Sequence, residues 1–436
     1  MSTEAFKKHR IKSNPAEALI AATIGFFVGF AAVALFNVTA KNFKDAMGLD
    51  PVQVGLLVAM PMLSGSLLRI PFSAWVDTDG GRKPMLTLLT MAIVGLLGLI
   101  ALIVAYYPDR LNDGLYPLLL LLGFLAGCGI ATFSVGISMV AYWFPQHRQG
   151  WALGTYAGVG NLAPGIFTFL LPAALAGWGL LGAYIAWTGL LVLGTLVFIV
   201  IGFGAPFFQL VKHGVPREEA IAIARELGQE IFPAGSVLET LAISARNWRT
   251  WVLVALYFTS FGGFLALTAW LPTYWREFHQ EPVRTAAYLT AYFSILASLI
   301  RVWGGSLSDR IGGEKTAMLA FGSVLLGALV MVLAQSFPLA FLGETIIGLG
   351  MGIGNAAVFK MVPFYVPDAV GGASGWVGGL GAFGGFVVPP IMGFFVKELG
   401  PVRGYPEGFT VYIALGVIAL LLVWLLQSTR RFYKAA

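Results

Sequence analysis

Residues 66–83, SLLRIPFSAWVDTDGGRK, lie over residues 298–315, SLIRVWGGSLSDRIGGEK, without a gap, and seven of the eighteen positions are identical. Arg69 and Arg301, Asp77 and Asp309, and a pair of glycines superpose. Two shorter echoes keep the same order: MVAYWFP (139–145) with MVPFYVP (361–367), and AGVGNLAPG (157–165) with GGLGAFGGF (378–386). A chain that repeats itself in one direction is built of two like halves. In membrane proteins such parallel repeats place a substrate site near mid-membrane, with the halves rocking about it.

The composition is written for lipid. Of 436 residues, 58% are apolar and 11% charged, more apolar surface than a water-soluble core of this length buries. Apolar runs of about 20 residues, the length a helix needs to cross the hydrocarbon layer, recur at 18–40, 52–76, 84–106, 115–142, 149–174, 180–205, 249–272, 285–308, 316–336, 339–363, 371–397 and 408–428. The expectation is an all-α membrane protein of twelve transmembrane helices. They form two pseudo-symmetric six-helix bundles, 1–205 and 249–436, joined by a polar cytoplasmic linker at 206–248. Within that linker Pro216 to Glu230 reads as a short helix with its charges on one face, a solvated connector.

Charge fixes the orientation. With both termini cytoplasmic, the inward-facing segments hold 17 Lys and Arg against 7 facing outward, the bias that orients proteins of the cell inner membrane. Lys7, Lys8, Arg10 and Lys12 at the start, Arg82 and Lys83, and Arg430, Arg431 and Lys434 at the end contribute most clearly. The net charge of +6 follows the membrane and gives no sign of nucleic acid. One cysteine, Cys128, excludes an internal disulfide and a cysteine metal cluster. There is no nucleophile with its base and no phosphate loop, and GLGMGIG (348–354) lacks the preceding strand of a dinucleotide site. The chain therefore reads as no enzyme, with no cofactor or metal, and as a monomer.

Arg69 and Arg301 each sit inside an apolar run, eight residues before the aspartate of the loop. A charged residue there costs about 3 kcal/mol on insertion scales. Eight residues is about 12 Å of helix, too far for both to snorkel to the headgroups. No carboxylate lies at the same level of any run, so the simplest counter-charge is a substrate anion. Guanidinium suits that task, because it is always charged, flat, and donates paired hydrogen bonds to a planar oxyanion.

Glycines crowd helices five and eleven, among them Gly160, Gly384 and Gly385. Close helix packing accounts for most of them, and a helix bare of side chains also brings backbone polar groups near a small ligand. Asn161 and Asn355 interrupt apolar runs, as interhelical clamps or as ligand contacts. Phe36, Phe133, Tyr257 and Phe261, near the arginine level, could form a narrow box around a weakly hydrated anion, or simply pack.

The two SxxR…D…GG loops, with Asp77, Arg82, Asp309 and Arg310, resemble the loop signature of the major facilitator superfamily. The first copy departs from it, with Ser73 and Thr78 in place of Gly and Arg. AGVGNLAPG and GLGAFGGFVVPPIMG (379–393) resemble the paired signatures of the nitrate/nitrite porter family, and GIATFSVGISMVAYWFP (129–145) and GIGNAAVFKMVP (352–363) are also similar to it. Ala163 and Pro164 depart from a pattern richer in glycine. The resemblance covers nearly the whole chain. It implies that Arg69 and Arg301 clamp the substrate, that Asn161 and Tyr257 donate to it, and that Phe133 and Phe261, with Phe36, line the box.

The implied function is nitrate transport, with nitrite as a second anion. Importing an anion against a negative interior costs about 2.3 kcal/mol per 100 mV, so a second flux is required. Proton symport needs a titrating group, for which Lys360 and Glu344 are the candidates; exchange for nitrite needs none. Lys360 in GNAAVFKMVP tilts the reading toward proton-coupled nitrate uptake, with nitrate/nitrite antiport as the alternative. A facilitator for another small monovalent anion and a non-transporting sensor are further alternatives.

Overall fold

A computed structural model describes residues 11–31, 33–49, 51–233 and 235–435. Lys7, Lys8 and Arg10 lie outside the described residues, as do the side chains of Phe36, Arg430, Arg431 and Lys434. Among the described residues the helices trace twelve passages. The first is Pro15–Ala31 with Val33–Met47, the second Pro51–Leu67 with Arg69–Asp79, the third Arg82–Tyr106 and the fourth Tyr116–Trp143. Gln146–Gly160 opens the fifth, and Leu162–Ile201 completes it and forms the sixth, turning at Gly179, where a φ of 67° suits glycine. The seventh joins Trp248–Tyr257 and Gly263–Thr273 through a π turn, Phe258–Gly262, and ends in a second π turn, Tyr274–Phe278. Val283–Ile311, Gly313–Leu333 and Phe337–Tyr365 are the eighth to tenth. Val370–Gly381 with the start of Gly384–Glu407 is the eleventh, and Thr410–Ala435 the twelfth.

Eight of these passages are long and apolar enough to cross a membrane. The other four passages are the first, second, fifth and eighth, and three of them carry Arg69, Asn161 and Arg301.

The chain divides into two compact units: Met1–Phe144 with Val159–Leu241, and Pro145–Gly158 with Ala242–Ala436. In the first, the fourth passage is the axis, and every residue from Ala126 to Trp143 is buried. Its glycines admit neighbouring backbones directly. A Cβ on Gly129 would stand 2.5 Å from the Gly29 carbonyl oxygen, and one on Gly127 would stand 2.4 Å from that of Pro61. The tenth passage has the same part in the second unit, where a Cβ on Gly352 would meet the Ala297 carbonyl at 2.3 Å. Without a hydrophobic gain between helices in lipid, such close van der Waals approach is what holds them.

The polar stretch after the sixth passage folds into three short helices, Pro206–Lys212, Arg217–Glu226 and Val237–Arg246. Its first part is packed rather than loose. The Phe207 amide donates to Gln229 Oε1 at 3.0 Å, and Phe208 meets the Tyr142 ring edge-on at 5.1 Å. Arg82 caps the sixth passage, donating to the carbonyls of Gly202 (2.5 Å) and Ile199 (2.7 Å) with its guanidinium 4.2 Å from the Phe203 ring. Carbonyls at a helix C-terminus lack partners in the helix and favour a cation.

Gly129→Ala should destabilise the purified protein by about 1–3 kcal/mol, the usual cost of overpacking. Gly189→Ala, whose new methyl group meets no neighbouring side chain or other helix within 4 Å, should leave the melting temperature in detergent unchanged or slightly raised. Equal melting of the Gly129 variant and the parent would contradict the packing described.

Candidate functional site

In the first unit Arg69 opens the second half of its passage, and Pro71 explains why the helix breaks there. A proline gives no N–H to the carbonyl four residues back, here that of Leu67, and crowds it. The fifth passage breaks at Asn161 by the same means, with Pro164 three residues on standing against the carbonyl of Gly160. Both breaks set a polar residue in the middle of a passage.

Arg69 is 2% exposed, and its guanidinium lies 5.0 Å from the centre of the Phe133 ring. Phe133 meets Phe26 edge-on at 5.2 Å, and Phe26 stacks on Phe30 at 5.2 Å. The Phe26 ring in turn occupies the space over Gly160, where a Cβ would come within 2.0 Å of it. Gly160 therefore seats an aromatic ring. Asn161, next to it, is 7% exposed.

In the second unit Arg301 is 1% exposed and donates to the Tyr257 hydroxyl at 3.4 Å. Its guanidinium is 5.7 Å from the Phe261 ring. Tyr257 and Phe261 are stacked at 5.0 Å with planes 13° apart, on either side of the start of the π turn. Inserted π turns concentrate at functional sites. Gly384 packs on the backbone of Phe258 and Gly262, and Gly385 on Leu265, so the eleventh passage braces that turn. From the other side Gly154 lies on the Arg301 carbonyl, where a Cβ would be 2.5 Å away.

Each arginine is thus laid on an aromatic face. A guanidinium so placed keeps its N–H donors in its own plane, at the edges, in the geometry that matches a flat, trigonal oxyanion.

The coupling candidates are elsewhere. Lys360 Nζ donates to Asp309 Oδ1 at 2.7 Å and to the Gln146 carbonyl, beside a cleft of about 310 Å³. Asp309 also accepts the backbone N–H groups of Gly150 (2.8 Å) and Trp151 (2.7 Å), at the start of Gln146–Gly160. Asp77 accepts instead from the Tyr142 hydroxyl at 2.6 Å. Arg310 is exposed. Asn355 is buried with no hydrogen-bond partner on Oδ1 among the described residues, and buried Glu344 accepts from Trp275 Nε1 at 2.7 Å. Phe26 escaped the sequence reading because it stands in an unbroken apolar run; its spacing from Gly160 exists only in the fold.

The profile of the Major Facilitator Superfamily matches residues 22–343 and 285–435. A probable nitrate/nitrite antiporter of Thermus thermophilus, NarK1, is 32% identical over 92% of this chain and 89% of its own length. The chain belongs to the nitrate/nitrite porter family of the major facilitator superfamily. The nitrite extrusion protein of Bacillus subtilis strain 168 is 26% identical over 94% of each chain. Among solved structures, the proton:xylose symporter XylE bound to 6-bromo-6-deoxy-D-glucose aligns with a TM-score of 0.71, at 14% identity, over 94% of this chain and 95% of its own. That likeness is one of fold.

Gly160→Ala should displace Phe26 and lower the melting temperature by an amount worth about 1–3 kcal/mol. Because the two positions touch, Phe26→Ala should relieve part of that loss, giving a coupling of about 0.5–3 kcal/mol in a double-mutant cycle. Additive losses would show that ring and glycine are not in contact.

Proposed function

We propose that this porter-family protein is a secondary active transporter that imports nitrate, and also carries nitrite, by alternating access. The observation that carries the reading is the pair Arg69 and Arg301: equated by the internal repeat, both buried, and each resting on an aromatic face. Two guanidinium groups in one register are the reason to assign them to one anion, with Asn161 and Tyr257 as further donors and Phe133 and Phe261 as apolar walls. The names of the relatives, a probable nitrate/nitrite antiporter and a nitrite extrusion protein, support nitrate and nitrite as the substrate class.

In this reading the halves 1–205 and 249–436 move about the bound anion, and the 206–248 segment stays cytoplasmic with both termini. The protein acts as a monomer in the cell inner membrane and performs no chemistry on its substrate. Protons driven by their gradient supply the second flux. Lys360, held by Asp309 and the Gln146 carbonyl, serves as a fastening of the second unit in this account, which leaves proton carriage to another group. Exchange of nitrate for nitrite is the second reading, favoured by the names of the Thermus and Bacillus relatives.

Arg69→Lys and Arg301→Lys should each cut nitrate uptake into proteoliposomes about tenfold or more, although charge is kept. A charge-assisted hydrogen bond is worth about 1.5–3 kcal/mol. Uptake at the parent rate by either variant would overturn the arginine assignment.

A further inference from the structure

Glu344 is an acid in the wrong place. It sits in Phe337–Tyr365 about two turns from that helix's start, is 1% exposed, and is a carboxyl group in a passage that lies in lipid. Oε2 accepts from the indole N–H of Trp275, itself fully buried, at 2.7 Å. Oε1 is buried with no hydrogen-bond partner, and none of the ion pairs among the described residues includes Glu344. An ionised carboxylate without a cation is far more costly to bury than a neutral carboxyl group.

From the seventh passage come Tyr274, in electrostatic reach of Glu344, and His279, whose Nε2 is 3.0 Å from the Tyr274 hydroxyl. Burial holds the His279 imidazole below its ordinary range. On the eighth passage the Tyr292 hydroxyl lies 3.1 Å from Oγ1 of Thr345, the residue after Glu344. The ninth passage has no ionisable residue after Lys315 and presents Met331 to the neighbouring Gly343. A metal ion would want several oxygen ligands, whereas here one carboxylate oxygen already faces an N–H donor. A proton needs only the other oxygen.

We propose that Glu344 is a proton-binding site, carrying a proton on Oε1 while Trp275 holds Oε2. The proton comes from water, forms an O–H bond on Glu344, and returns to water when Trp275 withdraws and the carboxylate is hydrated. Trp275 is borne by the same passage as Tyr257 and Phe261. The rod between them, Gly263–Thr273, is about 16 Å long by helix rise and is flanked by the two π turns. Movement of that rod changes the surroundings of Arg301 at one end and of Glu344 at the other, which ties proton occupancy to the anion site. The site stands on its own geometry; that its proton drives uptake rests on the transport reading above.

The test uses the full-length protein with nitrate as the probe. An inward gradient of one pH unit should sustain about tenfold nitrate accumulation in proteoliposomes for one coupled proton. Glu344→Gln, which mimics the protonated form, should abolish that accumulation while external nitrate still exchanges for internal nitrite. In infrared titration of the purified protein, the carbonyl band of a protonated carboxyl group should be present in the parent and missing in Glu344→Gln. Trp275→Phe removes a donor to the ionised form and should move the midpoint of that band to higher pH. Parent-like accumulation by Glu344→Gln, or an identical band in both proteins, would overturn the proposal. If the parent moves no nitrate, the transport reading fails, and the band alone decides: its loss in Glu344→Gln supports the proton site, its persistence sinks it.

Discussion

A guanidinium group resting on an aromatic ring, deep in a helix that faces lipid, is the constraint around which each unit is arranged. A desolvated cation–π contact is worth about 2 kcal/mol, whereas burying the charge costs several. The ring orients the cation but does not offset its burial, so the balance rests on hydrogen bonds, such as that from Arg301 to the Tyr257 hydroxyl, and, in the proposed function, on the transported anion. Much of the nearby backbone serves to hold these planes in position.

Three irregularities do that work. Pro71 and Pro164 break helices three residues downstream of Leu68 and Asn161, and the π turn Phe258–Gly262 shifts the register of the seventh passage between Tyr257 and Phe261. Arg69, Asn161 and the Tyr257–Phe261 pair each stand at one of these irregularities. The glycines are the counterpart: they bring neighbouring passages close enough that the irregular segments are braced on both sides.

The twelve passages and the two arginines were legible in the sequence, because apolar runs of membrane length and an ungapped repeat are local, periodic signals. The breaks were written there too, in Pro71 and Pro164, yet Pro164 stood out only as a departure from a glycine-rich pattern. Phe26 could not be singled out, since one phenylalanine in an apolar run looks like the next until the ring is seen on Gly160. Lys360 reads as a titrating group from its place in the stretch GNAAVFKMVP. The fold gives it Asp309, a partner fifty-one residues away that spacing alone could not pair with it. Glu344 reads in the sequence only as a titratable group, and the packing of Trp275 and its neighbours shows how dry its surroundings are.

The most direct measurement of the central claim is the effect of nitrate on the thermal unfolding of the purified protein. A ligand at one hundred times its dissociation constant stabilises the state that binds it by about 2.7 kcal/mol. The account predicts a rise in melting temperature with nitrate for the parent, and none when both Arg69 and Arg301 are lysine. An equal rise in both proteins would show that the anion is held elsewhere.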